Sequence, residues 1–153
     1  MTRARVTVDG DEVGAIGAGL LALVGAERGD TEADILYVAD KIAGMRVWER
    51  EDGTTVDVAQ AGGAVLVVSQ FTLLAQMRRG RRPDFIRAAG RDEAQPAVEA
   101  LVARIRWHGL AVSTGSFGAY MQVESVNDGP YTLLLDSRAE RAPSAPPTRE
   151  GDR

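Results

Sequence analysis

The stretch "GGAVLVVSQF", residues 62–71, limits most what this chain can become. From Val65 to Val68 four apolar residues follow one another with no polar break. A strand with one wet face alternates apolar and polar residues, whereas an unbroken run needs cover on both faces. The run is far too short to span a membrane, and so is its counterpart "GLLALVGA" at 19–26. Both read as buried strands, the first over 64–71 and the second over 20–25. With 153 residues the chain suits one domain with a core of its own.

The other elements arrange themselves around these two. Val6 and Val8 alternate up to Asp9-Gly10, and the pattern resumes through Val13 and Ile16, which is the mark of a hairpin. The spacing of Ile35, Ala39 and Ile42 predicts a helix over about 31–44, capped by Asp30 or Thr31. Val98, Leu101, Val102 and Ile105 predict a second helix, with Asp92 as cap and Gly109 as stop. A short strand pair is expected around the turn at Asp52-Gly53. Three closing strands are expected in "LAVSTG", "AYMQVESV" and "YTLLLD". Strands dominate and no regular βαβ alternation is visible. The expectation is an α+β fold: a mainly antiparallel, barrel-like sheet with two inserted helices. Residues 137–153 carry three prolines and few apolar groups, and are expected to form a disordered tail.

Composition removes much chemistry. There is no Cys, which excludes disulfides and thiolate nucleophiles, and the single His108 makes a transition-metal site improbable. No cofactor is expected, because no phosphate-binding glycine loop opens a helix. The absence of a signal peptide points to the cytoplasm. Net charge is −4, yet Arg78, Arg79, Arg81, Arg82, Arg87 and Arg91 crowd one segment against Asp84 alone. Since 17 of 18 basic residues are Arg, a solvated loop is one reading. A phosphate-binding patch is the other, because guanidinium forks match phosphate oxygens.

Two polar interruptions remain. Ser69, Gln70 and Thr72 close the most apolar strand, and residues of that kind more often satisfy backbone groups than catalyse. "NDGP" at 127–130, taken on spacing alone, is a turn.

Together the segments "VTVDGDEVGAIGAGLLALVGAERGD", "GGAVLVVSQFTL", "GRRPDF", "FGAYMQV" and "VNDGPYTLLLD" resemble the bacterial D-aminoacyl-tRNA deacylases in order and spacing, over residues 2–136. Ser-Gln-Phe-Thr and Asn-X-Gly-Pro-X-Thr are the specific marks. The resemblance implies a deacylase domain over 1–136, homodimeric, with sites at the dimer interface. It implies hydrolysis of the ester between a D-amino acid and the terminal adenosine of tRNA. Gly129-Pro130 would be a cis peptide whose main chain excludes L side chains, leaving glycyl-tRNA as a further substrate. Backbone N–H groups of Phe71 and Thr72 would hold the oxyanion, with Thr72 as nucleophile the less favoured alternative. Ser69, Gln70, Met121 and Asn127 would line the substrate pocket. Arg78, Arg79, Arg81 and Arg82 would hold tRNA phosphates, with no role for DNA, membrane or metal.

A non-catalytic barrel that holds tRNA ends is one competing reading. A paralogue with a trans Gly-Pro bond that accepts a small L-aminoacyl ester is the other. Leu74-Ala75-Gln76 stands where relatives carry a carboxylate, and Tyr131 is bulkier than the usual Val. Family sequences also open with one more strand, so a strand preceding Met1 and a misassigned start are expected.

Overall fold

The computed structural model describes residues 1–78 and 80–141. Its strands are β1 (Arg3–Val8), β2 (Asp11–Ile16), β3 (Gly19–Val24), β4 (Trp48–Glu49), β5 (Thr55–Val56), β6 (Ala64–Ser69), β7 (Val112–Thr114) and β8 (Met121–Val126). The helices are α1 (Glu32–Gly44), α2 (Arg91–Trp107) and α3 (Ser137–Arg141), with a 3-10 turn at Phe71–Leu74.

Two three-stranded sheets form the body. One is antiparallel with order β2-β1-β8, and the other is parallel with order β3-β6-β7. The expected barrel-like, mainly antiparallel sheet is therefore corrected, because the sheets are not closed into a barrel. Its physical reason is connection length: α1 and α2, 13 and 17 residues long, return the chain to the same end of the sheet, and parallel pairing follows. The sheets meet where β2 crosses β7. The Ser113 hydroxyl donates to the Ala15 carbonyl at 2.9 Å. A Cβ at Gly14 would lie 2.3 Å from the Thr114 carbonyl oxygen, so only glycine permits this approach.

β6 sits at the centre. Val65 and Val67 pack under Ala39, Ile42, Leu101, Val102 and Ile105 of the helices. Leu66 and Val68 face Ala4 and Val6 of the antiparallel sheet. The unbroken apolar run has cover on both sides, as its sequence demands. β1 and β2 turn at Asp9 (φ 52°) and Gly10 (φ 91°), the paired left-handed geometry of a tight hairpin.

α1 starts after Thr31, whose N–H donates to the Asp34 carboxylate at 2.9 Å. α2 begins after Gly90 rather than Asp92 and ends at Trp107, where Gly109 (φ 82°) reverses the chain. The two helices are clamped by Asp40. Its carboxylate accepts Arg104 Nε at 2.7 Å and Nη2 at 3.1 Å, and lies 2.7 Å from His108 Nε2.

Three further expectations are corrected. Residues 131–136 form no strand: they pair with no sheet edge, and Leu134 is 82% exposed. β3 is an edge strand rather than one buried on both faces, with Leu23 45% exposed. Residues 137–141, assigned to a disordered tail, are helical. Arg138 ties them down through Glu27 (3.0 Å) and Asp30 (3.1 Å). The rest of the expected tail, 142–153, lies outside the described residues.

Candidate active site

Where β6 ends, the chain leaves the sheet. Ser69 is half-buried, and the Gln70 N–H donates to the Val24 carbonyl at 2.7 Å, the last tie to β3. The 3-10 turn follows, with Leu73 N–H donating to Gln70 O (3.3 Å) and Ala75 N–H to Thr72 O (3.1 Å). Phe71 and Thr72 occupy its first two positions, so their N–H groups have no partner within the turn. The Gln70 side-chain amide donates to the Thr72 hydroxyl oxygen. A carboxamide is no base, so this bond orients Thr72 without activating it as a nucleophile.

The arginine segment stands beside this turn. Phe71, 57% exposed, meets Phe85 edge-on with ring centres 5.0 Å apart. Gln76 and Asp84 exchange both backbone hydrogen bonds at 2.9 Å and close the loop between them. Arg78, Arg81 and Arg82 are exposed on that loop, and Arg79 lies outside the described residues. Arg87 does not join them. It grips Glu27 through two bonds of 2.8 and 2.6 Å and holds that carboxyl below its usual range, with Arg138 adding to the effect. Arg91 instead lies over the Phe117 ring, 5.9 Å from its centre.

Met121 packs as a core residue with Ala4, Val6, Leu66 and Val68, and a Cβ on Gly115 would lie 2.7 Å from its sulfur. Asn127 braces its own loop, accepting the Tyr131 N–H at 3.3 Å and donating to the Thr132 hydroxyl at 3.2 Å. Gly129 has φ 111°, a glycine conformation, and an added Cβ there would meet nothing within 4 Å. No peptide bond among the described residues is cis, so the expected cis Gly129-Pro130 is corrected to trans. The trans form of an X–Pro bond is the one favoured in general, by ~0.5–1 kcal/mol.

The structure thus gathers Ser69, Gln70, Phe71, Thr72 and the arginine loop in one place, with Met121 partly buried against the Leu66 and Val68 cluster of the same strand. Among the described residues no hydrogen bond, ion pair or ring contact joins residues 127–130 to them.

His108 belongs to the helix clamp. There Arg104, then His108, hold the Asp40 carboxyl at about 2. Sequence reasoning missed both the clamp and the Glu27–Arg87–Arg138 group. Each joins residues about 60 or more positions apart, and only an amphipathic helix pattern hinted that α1 and α2 would touch.

These features define a small α+β domain whose polar groups collect where its central strand leaves the sheet, beside an arginine loop. Residues 1–136 match the family described as D-Tyr-tRNA(Tyr) deacylase. A D-aminoacyl-tRNA deacylase of Heliobacterium modesticaldum is 58% identical over 137 residues, 89% of this chain and 91% of that protein. The one from Thermus aquaticus is 53% identical over 135 residues, 88% and 89% of the two chains. A solved structure titled c-Myc DNA Unwinding Element Binding Protein shares 37% identity at a TM-score of 0.81, covering 88% of this chain and 93% of that one. A probable eukaryotic D-amino acid tRNA deacylase, 13% identical with a TM-score of 0.66, shares the fold across 81% of this chain and 88% of its own. The chain belongs to the D-Tyr-tRNA(Tyr) deacylase family and is an enzyme of that class.

Proposed function

We propose that the protein hydrolyses the ester joining a D-amino acid to the terminal adenosine of tRNA, and that it also cleaves glycyl-tRNA. The observation that carries this reading is the turn at the end of β6. It offers two N–H groups free of the turn's own bonding, and a Thr72 hydroxyl held by an amide rather than by a base. An aminoacyl ester is already reactive, so orientation and two donors toward the developing oxyanion suffice. Water adds to the ester carbonyl, the Phe71 and Thr72 N–H groups receive the negative charge, and the ribose oxygen leaves with a proton. The 2′-hydroxyl of the tRNA is suited to assist that transfer.

Specificity rests on main chain. The 127–131 loop with Gly129-Pro130 is exposed, which suits a homodimer in which one copy's loop closes the other's pocket. Carbonyl oxygens at that mouth exclude an L side chain. Arg78, Arg81 and Arg82, with Arg79 in the same loop, neutralise acceptor-stem phosphates without reading sequence. No helix among the described residues is long and apolar enough to cross a membrane, and the cytoplasm, where tRNA is charged, is the proposed place of action.

A deacylation assay with D-tyrosyl-, glycyl- and L-alanyl-tRNA tests the reading. Turnover of the first two and not the third is expected. Absence of all turnover would leave a tRNA-end-binding protein. Turnover of L-alanyl-tRNA would establish the paralogue reading. One solved relative is titled for a DNA element, so a duplex DNA competitor belongs in the binding assay. It is expected not to displace tRNA.

A further inference from the structure

The four residues that follow β3 bear on both parts of the candidate site. A Cβ on Gly25 would lie 3.1 Å from the Gln70 carbonyl oxygen and 3.4 Å from Leu73 Cβ, so the chain there runs against the 3-10 turn. Immediately afterwards, residues 26–28 are bonded to 87–89, the far limb of the arginine loop. The Arg28 N–H donates to the Arg87 carbonyl at 2.9 Å, and the Ala89 N–H donates to the Ala26 carbonyl at 3.0 Å. Arg28 Nε adds a bond to the Ala88 carbonyl at 3.0 Å. Turn and limb therefore share one base.

Glu27 is the side chain at this junction, 16% exposed against 41% for Arg87. Its two oxygens accept Arg87 Nε at 2.8 Å and Nη2 at 2.6 Å, a fork that fixes direction as well as distance. Arg87 is part of a tight turn that opens at Phe85, whose carbonyl accepts the Ala88 N–H at 2.9 Å. The Phe85 ring meets Phe71 edge-on at 5.0 Å, and Phe71 is the first residue of the 3-10 turn. The core leaves Phe71 57% exposed, so Phe85 supplies cover that the core does not. The backbone bonds place the limb without the carboxylate; what the fork adds is the orientation of the 85–88 turn. An ion pair with one partner so exposed adds little to stability, so its loss should be read in turnover.

We infer that Glu27 is a positioning residue for the deacylation. Through Arg87 it sets the 85–88 turn, which places the Phe85 ring against Phe71 and so holds the Phe71 and Thr72 N–H groups in line. The inference rests on the reading that those two groups receive the oxyanion. Arg138, which reaches Glu27 at 3.0 Å from the other side, touches neither the turn nor the limb and has no part in it.

Glu27→Gln keeps the size of the side chain and removes its charge. On D-tyrosyl-tRNA its kcat should fall ~10-fold with KM changed less than ~2-fold, because orientation is lost and binding is not. Arg87→Gln should behave alike, and the double variant should lose no more than either alone. Arg138→Gln should keep kcat within ~2-fold of the native value. An unchanged kcat in Glu27→Gln, with or without a fall in thermal stability, overturns the inference, and so do losses that multiply in the double variant. Amide hydrogen exchange separates the inference from the reaction on which it rests. In Glu27→Gln the Leu73 and Ala75 amides, which close the 3-10 turn, should exchange at least ~10-fold faster, with those of β1 unchanged. If the native protein turns over no aminoacyl-tRNA, the reaction reading fails and exchange alone decides; equal exchange then overturns the positioning role. Should Glu27→Gln fail to fold, Arg87→Gln, at the more exposed partner, carries both measurements.

Discussion

β3 and β6 are neighbours in one sheet, six residues each, and nearly alike in composition, yet their fates differ. β6 has a strand on both edges and a layer on both faces, and Val65–Val68 are sealed from solvent. β3 has one edge free, and Leu23 stands half in water. Apolar character states how much cover a strand can use; the number of neighbours states how much it receives. The proposed working end of the molecule grows from the saturated strand, since a turn that must hold two N–H groups in place needs a fixed base.

The largest effect that would break this comparison is expected at Leu66. Leu66→Ala should cost ~2–5 kcal/mol in urea unfolding, the range for a leucine buried on all sides. A loss like that of an exposed leucine would mean that β6 is not the organising strand. Next comes the loop beyond β6. Arg81→Gln with Arg82→Gln should weaken tRNA binding ~10-fold and lower the salt dependence by about two ions, with little change in turnover of bound substrate.

The Asp40 clamp contrasts with this loop, because its charge is spent inside the fold. Asp40→Asn should cost about 1 kcal/mol at neutral pH, the upper end for a partly exposed pair. Asp40 has a folded value of about 2 against an unfolded value near ~3.9, so its contribution is full above the latter and is lost as pH falls through the former. The native protein and the Asp40→Asn variant should converge in stability toward that acid limit.

Thr72→Ala tests whether side chain or main chain works at the end of β6. A fall in kcat of less than ~10-fold, under ~1.4 kcal/mol, is expected, and near-complete loss with binding intact would make Thr72 the nucleophile. Smallest of all, Leu23→Ala should cost under ~1 kcal/mol, which sharpens the contrast with Leu66.

Legibility in the sequence followed range. The hairpin at Asp9-Gly10, the helix from Thr31 and the strand expected at 64–71 each carry their signal within a few residues, and the structure has them, the strand ending at Ser69 where the 3-10 turn takes over. The strand expected at 131–136 carries the same local signal and fails, since a strand exists only beside another. The parallel pairing of β3, β6 and β7 was hidden for a related reason: local patterns do not say to which edge a crossover returns. At the site, Ser69, Gln70 and Thr72 were legible as a polar break in an apolar run, and Phe71 only through the family resemblance. The capture of Arg87 by Glu27 was not, because an ion pair 60 residues apart leaves no pattern in a row of arginines.

By itself the sequence determined the periodicities, the turn residues, the two marks that place the chain in its family, and the excess of arginine near position 80. Tertiary structure alone decided which arginines remain free, which apolar strand is central, and which way the Thr72 hydroxyl is held. The physical reason is that burial and charge pairing belong to pairs of surfaces, and a surface acquires its partner only when the whole chain has closed.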